Sequence, residues 1–162
     1  MTRSLTIRPS APEDAAVILE FITALAAYER LSHEVKITIA DVRETFFEPA
    51  PRVFCDIARL DGDAVGFAVW FYSFSTFEGR HGLYLEDLFV KPEVRGAGVG
   101  KALLAHLAKR CVDEGLRRLE WSVLDWNAPA IAFYDGIGAS AKTEWITRRL
   151  AGEALARLAG GG

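Results

Sequence analysis

Apolar positions along this chain recur with two spacings, and the switches between them lay out the elements. Residues 5–8 read as a short strand. Val17, Ile18, Phe21 and Leu25 then recur at helical spacing, and acidic Glu13 and Asp14 precede them, which predicts a helix over 12–28. A second helix is expected over 39–47, closed by Pro49 and Pro51. Residues 52–60 and 64–72 read as two strands joined by a tight Asp61-Gly62-Asp63 turn. A turn within 79–82 leads to a strand over 83–90. After a glycine-rich turn comes a helix over 100–114, with Leu103, Leu104, Leu107 and Cys111 on its inner face and Gly115 at its C-cap.

A fifth strand is expected over 119–124. Asn127 is placed to cap a helix over 128–137, with Pro129 in its first turn and Gly138 past its end. Residues 139–150 read as one or two final strands, followed by a short helix and a flexible glycine tail. The order βααβββαβαβ gives a single α/β domain over 1–162 with a mixed sheet. Hairpins supply antiparallel neighbours, and the crossover through 100–114 makes a parallel pair.

Composition narrows the class of ligand. The chain has 162 residues, 51% of them hydrophobic and 25% charged, with a net charge of −3. That is a globular balance with no nucleic-acid surface, and it suits a small cationic substrate better than a polyanion. No stretch approaches a membrane span and the N-terminus lacks the apolar core of a signal peptide, so the expected location is cytoplasmic. Cys55 and Cys111 fall on apolar faces and read as buried thiols. His33, His81 and His106 form no ligand spacing, and no metal is expected.

The candidate chemistry begins at residues 91–104, Lys-Pro-Glu-Val-Arg-Gly-Ala-Gly-Val-Gly-Lys-Ala-Leu-Leu. Pro92 stops the strand, and Gly96, Gly98 and Gly100 permit positive φ and close backbone approach. The unpaired N–H groups of the next helix face the same loop and attract anions. A P-loop would require glycine at Arg95 and a hydroxyl at Ala102, and a dinucleotide fingerprint begun at Gly96 would require glycine at Lys101. Both templates fail.

What fits is Arg-x-x-Gly-x-Gly, as Arg95, Gly98 and Gly100. Here the chain resembles the GCN5-related N-acetyltransferase (GNAT) superfamily. Three further segments carry the likeness to its diamine (spermidine/spermine) and thialysine branch: Ala26-Ala27-Tyr28-Glu29, Tyr84-Leu85-Glu86-Asp87-Leu88-Phe89-Val90, and Trp126-Asn127-Ala128-Pro129-Ala130-Ile131-Ala132-Phe133-Tyr134. The resemblance implies the acyl-CoA N-acyltransferase fold, a mostly antiparallel twisted sheet flanked by helices. It further implies acetyl-CoA as co-substrate and a homodimer. Trp70, Phe71, Phe74, Phe77 and Trp145 form an aromatic surplus that one small core need not absorb.

Transfer of acetyl to an amine needs a positioned thioester, a neutral amine, a donor to the developing oxyanion, and a proton for the leaving thiolate. By resemblance, the backbone of Leu88, Phe89 and Val90 on a bulged strand holds the pantetheine arm and thioester. Arg95, Gly96, Ala97, Gly98, Val99, Gly100 and Lys101 grip the pyrophosphate. Asn127 and Ala130 contact coenzyme A. Tyr28, Glu29, Glu86 and Asp87 match substrate-side positions, Glu86 as the carboxylate that binds a second ammonium or relays a proton through water. Adjacent strand carboxylates should face opposite ways unless a bulge intervenes. By the same resemblance Tyr134 is the candidate general acid, since a tyrosine near the normal pKa of about 10 can stay protonated at neutral pH and donate to a thiolate. The chain departs from the branch at Asp135-Gly136-Ile137, where one or two basic residues usually stand. Two alternatives stay open: a relative acting on a protein lysine, an N-terminus or another small amine, and a non-catalytic acetyl-CoA sensor.

Overall fold

The computed structural model describes residues 3–160. The chain divides into two compact units, Met1–Ser122 and Val123–Gly162.

The first unit is built on a five-stranded sheet: β1 (Leu5–Pro9), β2 (Phe54–Leu60), β3 (Asp63–Ser75), β4 (Arg80–Val90) and β5 (Leu119–Glu120), in that spatial order. β1 to β4 are antiparallel neighbours, and β4 and β5 run parallel. The parallel pair is made by the crossover helix α3 (Val99–Glu114), as the sequence predicts. Asp61 and Gly62 both carry positive φ, 54° and 95°, the twist a two-residue hairpin needs between β2 and β3.

Strand alternation sorts the sheet into two faces. Cys55, Ile57, Phe67, Val69 and Phe89 pack against α1 (Ala15–Tyr28) and α2 (Ile39–Phe47), where Ile18, Phe21 and Val42 complete a core. The intervening positions meet α3. Gly66 packs so closely that an added Cβ would lie 2.6 Å from the Phe89 carbonyl and 3.5 Å from Leu103. On this face the Trp70 indole donates to buried Asp56 at 2.7 Å, His106 lies 3.5 Å from the same carboxylate, and the Arg110 guanidinium stacks on Trp70. Both cysteines are free and buried, as expected, and burial pushes the Cys55 thiol well up.

A buried carboxylate fastens α1 to the sheet. Asp14 accepts from Arg8, Arg59 and the Ala11 N–H, each at 2.8 Å. Burial alone would raise its pKa, but these donors outweigh it and hold the group below the usual carboxylate range. Residues 12–14 form a 3₁₀ turn, so the expected helix over 12–28 enters its α-helical part at Ala15.

The second unit holds α4 (Ala128–Gly136) and α5 (Gly152–Gly160). Two expectations are corrected in this half of the chain. The strand expected over 119–124 ends at Glu120, and 139–150 form no strand. Trp145, Ile146 and Leu150 are exposed and do not alternate, so they offer no apolar face for a sheet to cover. Residues of the glycine tail beyond Gly160 lie outside the described ones. No helix among the described residues is long and apolar enough to cross a membrane.

Candidate active site

The glycine turn follows β4 through a 3₁₀ turn at Pro92–Val94. Gly96 and Gly98 take φ of 86° and 82°, and Gly98 is the left-handed N-cap of α3, a place where side chains are strained. Space around both is open, with nothing within 4 Å of an added Cβ. Gly100 differs from the expectation: it already lies inside α3 and needs no positive φ. Its lack of a Cβ leaves the helix's first turn close to Val90, 3.7 Å from where that carbon would be. Lys101 stands exposed in the same turn. The result is an open backbone cradle at the positive end of a 16-residue helix, which suits a phosphate-bearing ligand.

β4 supplies the second half of the donor surface. It pairs with β5 only at Leu83–Leu119 and Tyr84–Glu120. From residue 85 to 90, no strand of the described residues pairs with the side of β4 away from β3. Alternation turns the backbone groups of Leu88 and Val90 to that side and those of Phe89 toward β3; the Val90 carbonyl accepts from Arg95 Nε–H, and the remaining groups of Leu88 and Val90 face no strand and suit an extended, amide-bearing ligand. An arm of that kind ending in a pyrophosphate fits both surfaces, and acetyl-CoA has that form.

The expected bulge is present, and it lies at the carboxylates. Val69 pairs with Asp87 and Trp70 with Leu85, so Glu86 is the extra residue of β4. Phase resets there: Asp87 shares the α1 face with Phe89, Leu85 takes the α3 face, and Glu86 stands exposed between them. Glu29 arrives from α1. That helix ends with the N–H of Leu31 on the Ala26 carbonyl and that of Arg30 on Ala27, Arg30 being left-handed at φ 63°. This is a Schellman termination on a non-glycine residue, and it fixes Glu29 at the helix end.

Electrostatics mark these three as a group. Burial, then the charges of Glu86 and Glu29, push the Asp87 carboxyl up to about 6, and burial raises Glu29 as well. Among the described residues none of the three has a salt-bridge partner, and a cation would relieve their repulsion. Tyr28, 41% exposed, stacks under the Arg95 guanidinium at 4.7 Å. That contact joins the glycine turn to the end of α1, and no sequence spacing announces it.

In the second unit, the Asn127 side chain accepts from the Ala130 N–H at 3.4 Å, the capping role expected of it. Tyr134 is half-buried on α4 with its ring 5.6 Å from Phe133. A separate cavity of about 490 Å³ lies between α1 and the β2–β3 turn, lined by Glu20, Phe21, Arg59, Asp63 and Lys91 among others. None of the expected site residues lines it.

The acetyltransferase (GNAT) family model matches residues 18–139. Thialysine N-epsilon-acetyltransferase of Bos taurus is 38% identical over 165 residues, covering 95% of this chain and 96% of its own. L-ornithine N5-acetyltransferase of Arabidopsis thaliana is 30% identical, covering 92% and 85% respectively. Among solved structures, an integron cassette protein from the mobile metagenome of V. cholerae superposes with a TM-score of 0.80 at 27% identity, over 96% of this chain and 98% of that one.

Proposed function

This chain belongs to the acetyltransferase (GNAT) family, an acetyl-CoA-dependent enzyme acting on an amine, and on that premise we propose that its acceptor is a diamine, a polyamine or a thialysine-like amino acid. The observation that carries this reading is the carboxylate group of Glu29, Glu86 and Asp87 around the β4 bulge. An acceptor with a second positive charge neutralises carboxylates that otherwise repel one another. The names of the bovine and Arabidopsis relatives describe acceptors of this kind.

In this reading acetyl-CoA supplies the activated thioester. The Gly96–Gly98 turn, the α3 N-terminus with Lys101, and Arg95 hold its pyrophosphate, and Asn127 and Ala130 are assigned, by family likeness, to further contacts with coenzyme A. The backbone of Leu88 and Val90 orients the arm and donates to the thioester oxygen. Glu86 receives, through water, the proton that the ammonium must lose to become nucleophilic, and Asp87 and Glu29 hold the distal charge with Tyr28 beside them. Tyr134 returns a proton to the departing sulfur. Both units act as one catalytic domain, a reading supported by a family match that runs across their boundary.

A screen of primary amines against acetyl-CoA, followed by free thiol release, tests the acceptor class. Turnover with diamines or lysine-like amino acids is expected. Turnover confined to a protein lysine, an N-terminus or an aminoglycoside rejects it, and cofactor binding without any thiol release makes the protein a sensor.

The same reading includes a cytoplasmic homodimer. Two free buried thiols suit a reducing compartment. Trp70 is core at 3% exposure and leaves the aromatic surplus, but Phe74 and Phe77 remain exposed at 59% and 92% near the β3–β4 turn. Light scattering is expected to give twice the chain mass, and the mass of one chain removes the dimer.

A further inference from the structure

Tyr28 stands at the amine side by resemblance, and its ring also contacts the cofactor turn. Its ring lies 4.7 Å beneath the Arg95 guanidinium, within the range of a cation–π contact. Arg95 Nε–H also donates to the Val90 carbonyl at 3.2 Å. Two tethers therefore fix the guanidinium plane: one at its face, one at its Nε edge. The two terminal nitrogens take no hydrogen bond among the described residues and form a free fork, the geometry for bidentate capture of a phosphate. An exposed arginine without such tethers would have to lose much of its rotamer freedom on meeting the ligand.

We propose that Tyr28 is a positioning residue for the acyl donor, its ring holding the Arg95 fork ready for the pyrophosphate. The inference rests on the reading that the glycine turn grips acetyl-CoA, and it adds a coupling between the donor turn and the helix end that carries Glu29. Because the ring face makes the contact, phenylalanine substitutes for tyrosine here and leucine does not. Tyr28 is partly exposed at a helix end, so neither change disturbs the core.

Titration calorimetry with coenzyme A and with pantetheine, which lacks the pyrophosphate, tests the proposal on wild type, Tyr28→Phe and Tyr28→Leu. Coenzyme A affinity is expected to fall about fivefold in Tyr28→Leu and to be retained in Tyr28→Phe. Pantetheine affinity should be the same in all three. In an Arg95→Ala background, Tyr28→Leu should have no further effect on coenzyme A, since the pair acts as a unit. Undiminished coenzyme A binding by Tyr28→Leu, or an equal loss for both ligands, overturns the positioning role while leaving the turn as the donor site. Wild type binding pantetheine as tightly as coenzyme A overturns the reading of the turn itself, and the proposal with it.

Discussion

Tyr134→Phe is expected to lower the rate constant for thiol release about 10²-fold or more while acetyl-CoA affinity stays near its wild-type value. That size is the usual contribution of a positioned general acid. A phenol with a pKa near 10 is protonated at neutral pH and donates to a thiolate whose conjugate acid lies near 8.5, so the proton moves where the leaving group needs it. Removing one hydroxyl from a half-buried ring on α4 leaves its packing beside Phe133 in place. Loss of rate with folding and donor binding intact separates chemistry from packing. Stopped-flow or steady-state thiol assays on the variant give the number, and unchanged turnover assigns the proton to another group.

The second large effect concerns stability and has an unusual sign. Asp87 ionises near pH 4 in an unfolded chain but at about 6 in the fold, because it is buried and faces Glu86 and Glu29. The native state therefore holds a proton that the unfolded state has released over that interval. Its contribution to stability is fully present below about pH 4 and is lost as pH rises through about 6. Ionising this carboxyl in the fold rather than in the unfolded chain costs about 3 kcal/mol at neutral pH. Asp87→Asn, which stays neutral, is expected to be more stable than wild type at pH 7 by about that amount and nearly equal to it at pH 4, in urea unfolding at the two pH values. The same change should weaken the amine acceptor through a raised KM. A variant less stable than wild type at pH 7 would show Asp87 to be held by a cationic partner.

This sign makes functional sense. A fold that keeps mutually repelling carboxylates on one bulge is stabilised when a ligand brings positive charge to them, so cost in the free protein becomes affinity for the acceptor.

Much of the first unit could be read from residue pattern because local chemistry and tertiary packing agree there. Asp61-Gly62 can hardly avoid a tight hairpin, the 103–104–107–111 stripe has one face to bury, and Gly115 caps its helix in the left-handed form foreseen. That β4 carries a bulge followed from the resemblance, but its place at Glu86 did not, since no alternation rule marks where a strand gains a residue. What remained illegible was non-local. The stacking of Arg95 on Tyr28 joins residues 67 positions apart, and the raised pKa of Asp87 comes first from burial and then from the charges of Glu86 and of Glu29, which arrives from another element. Residues 139–150 misled because Trp145 and Ile146 carry strand propensity, but propensity without an alternating face or a partner does not make a sheet.

The central claim is that this enzyme transfers acetyl to an amine whose second positive charge is held by Asp87 and Glu29, beside the Glu86 carboxylate that takes the proton of the reacting ammonium. Its most direct test is kcat/KM for thiol release with a diamine set against a monoamine of equal chain length. The diamine is expected to be favoured about tenfold or more, the effect of one additional charge-assisted contact of about 1.4 kcal/mol. Equal values for the two amines would contradict the account.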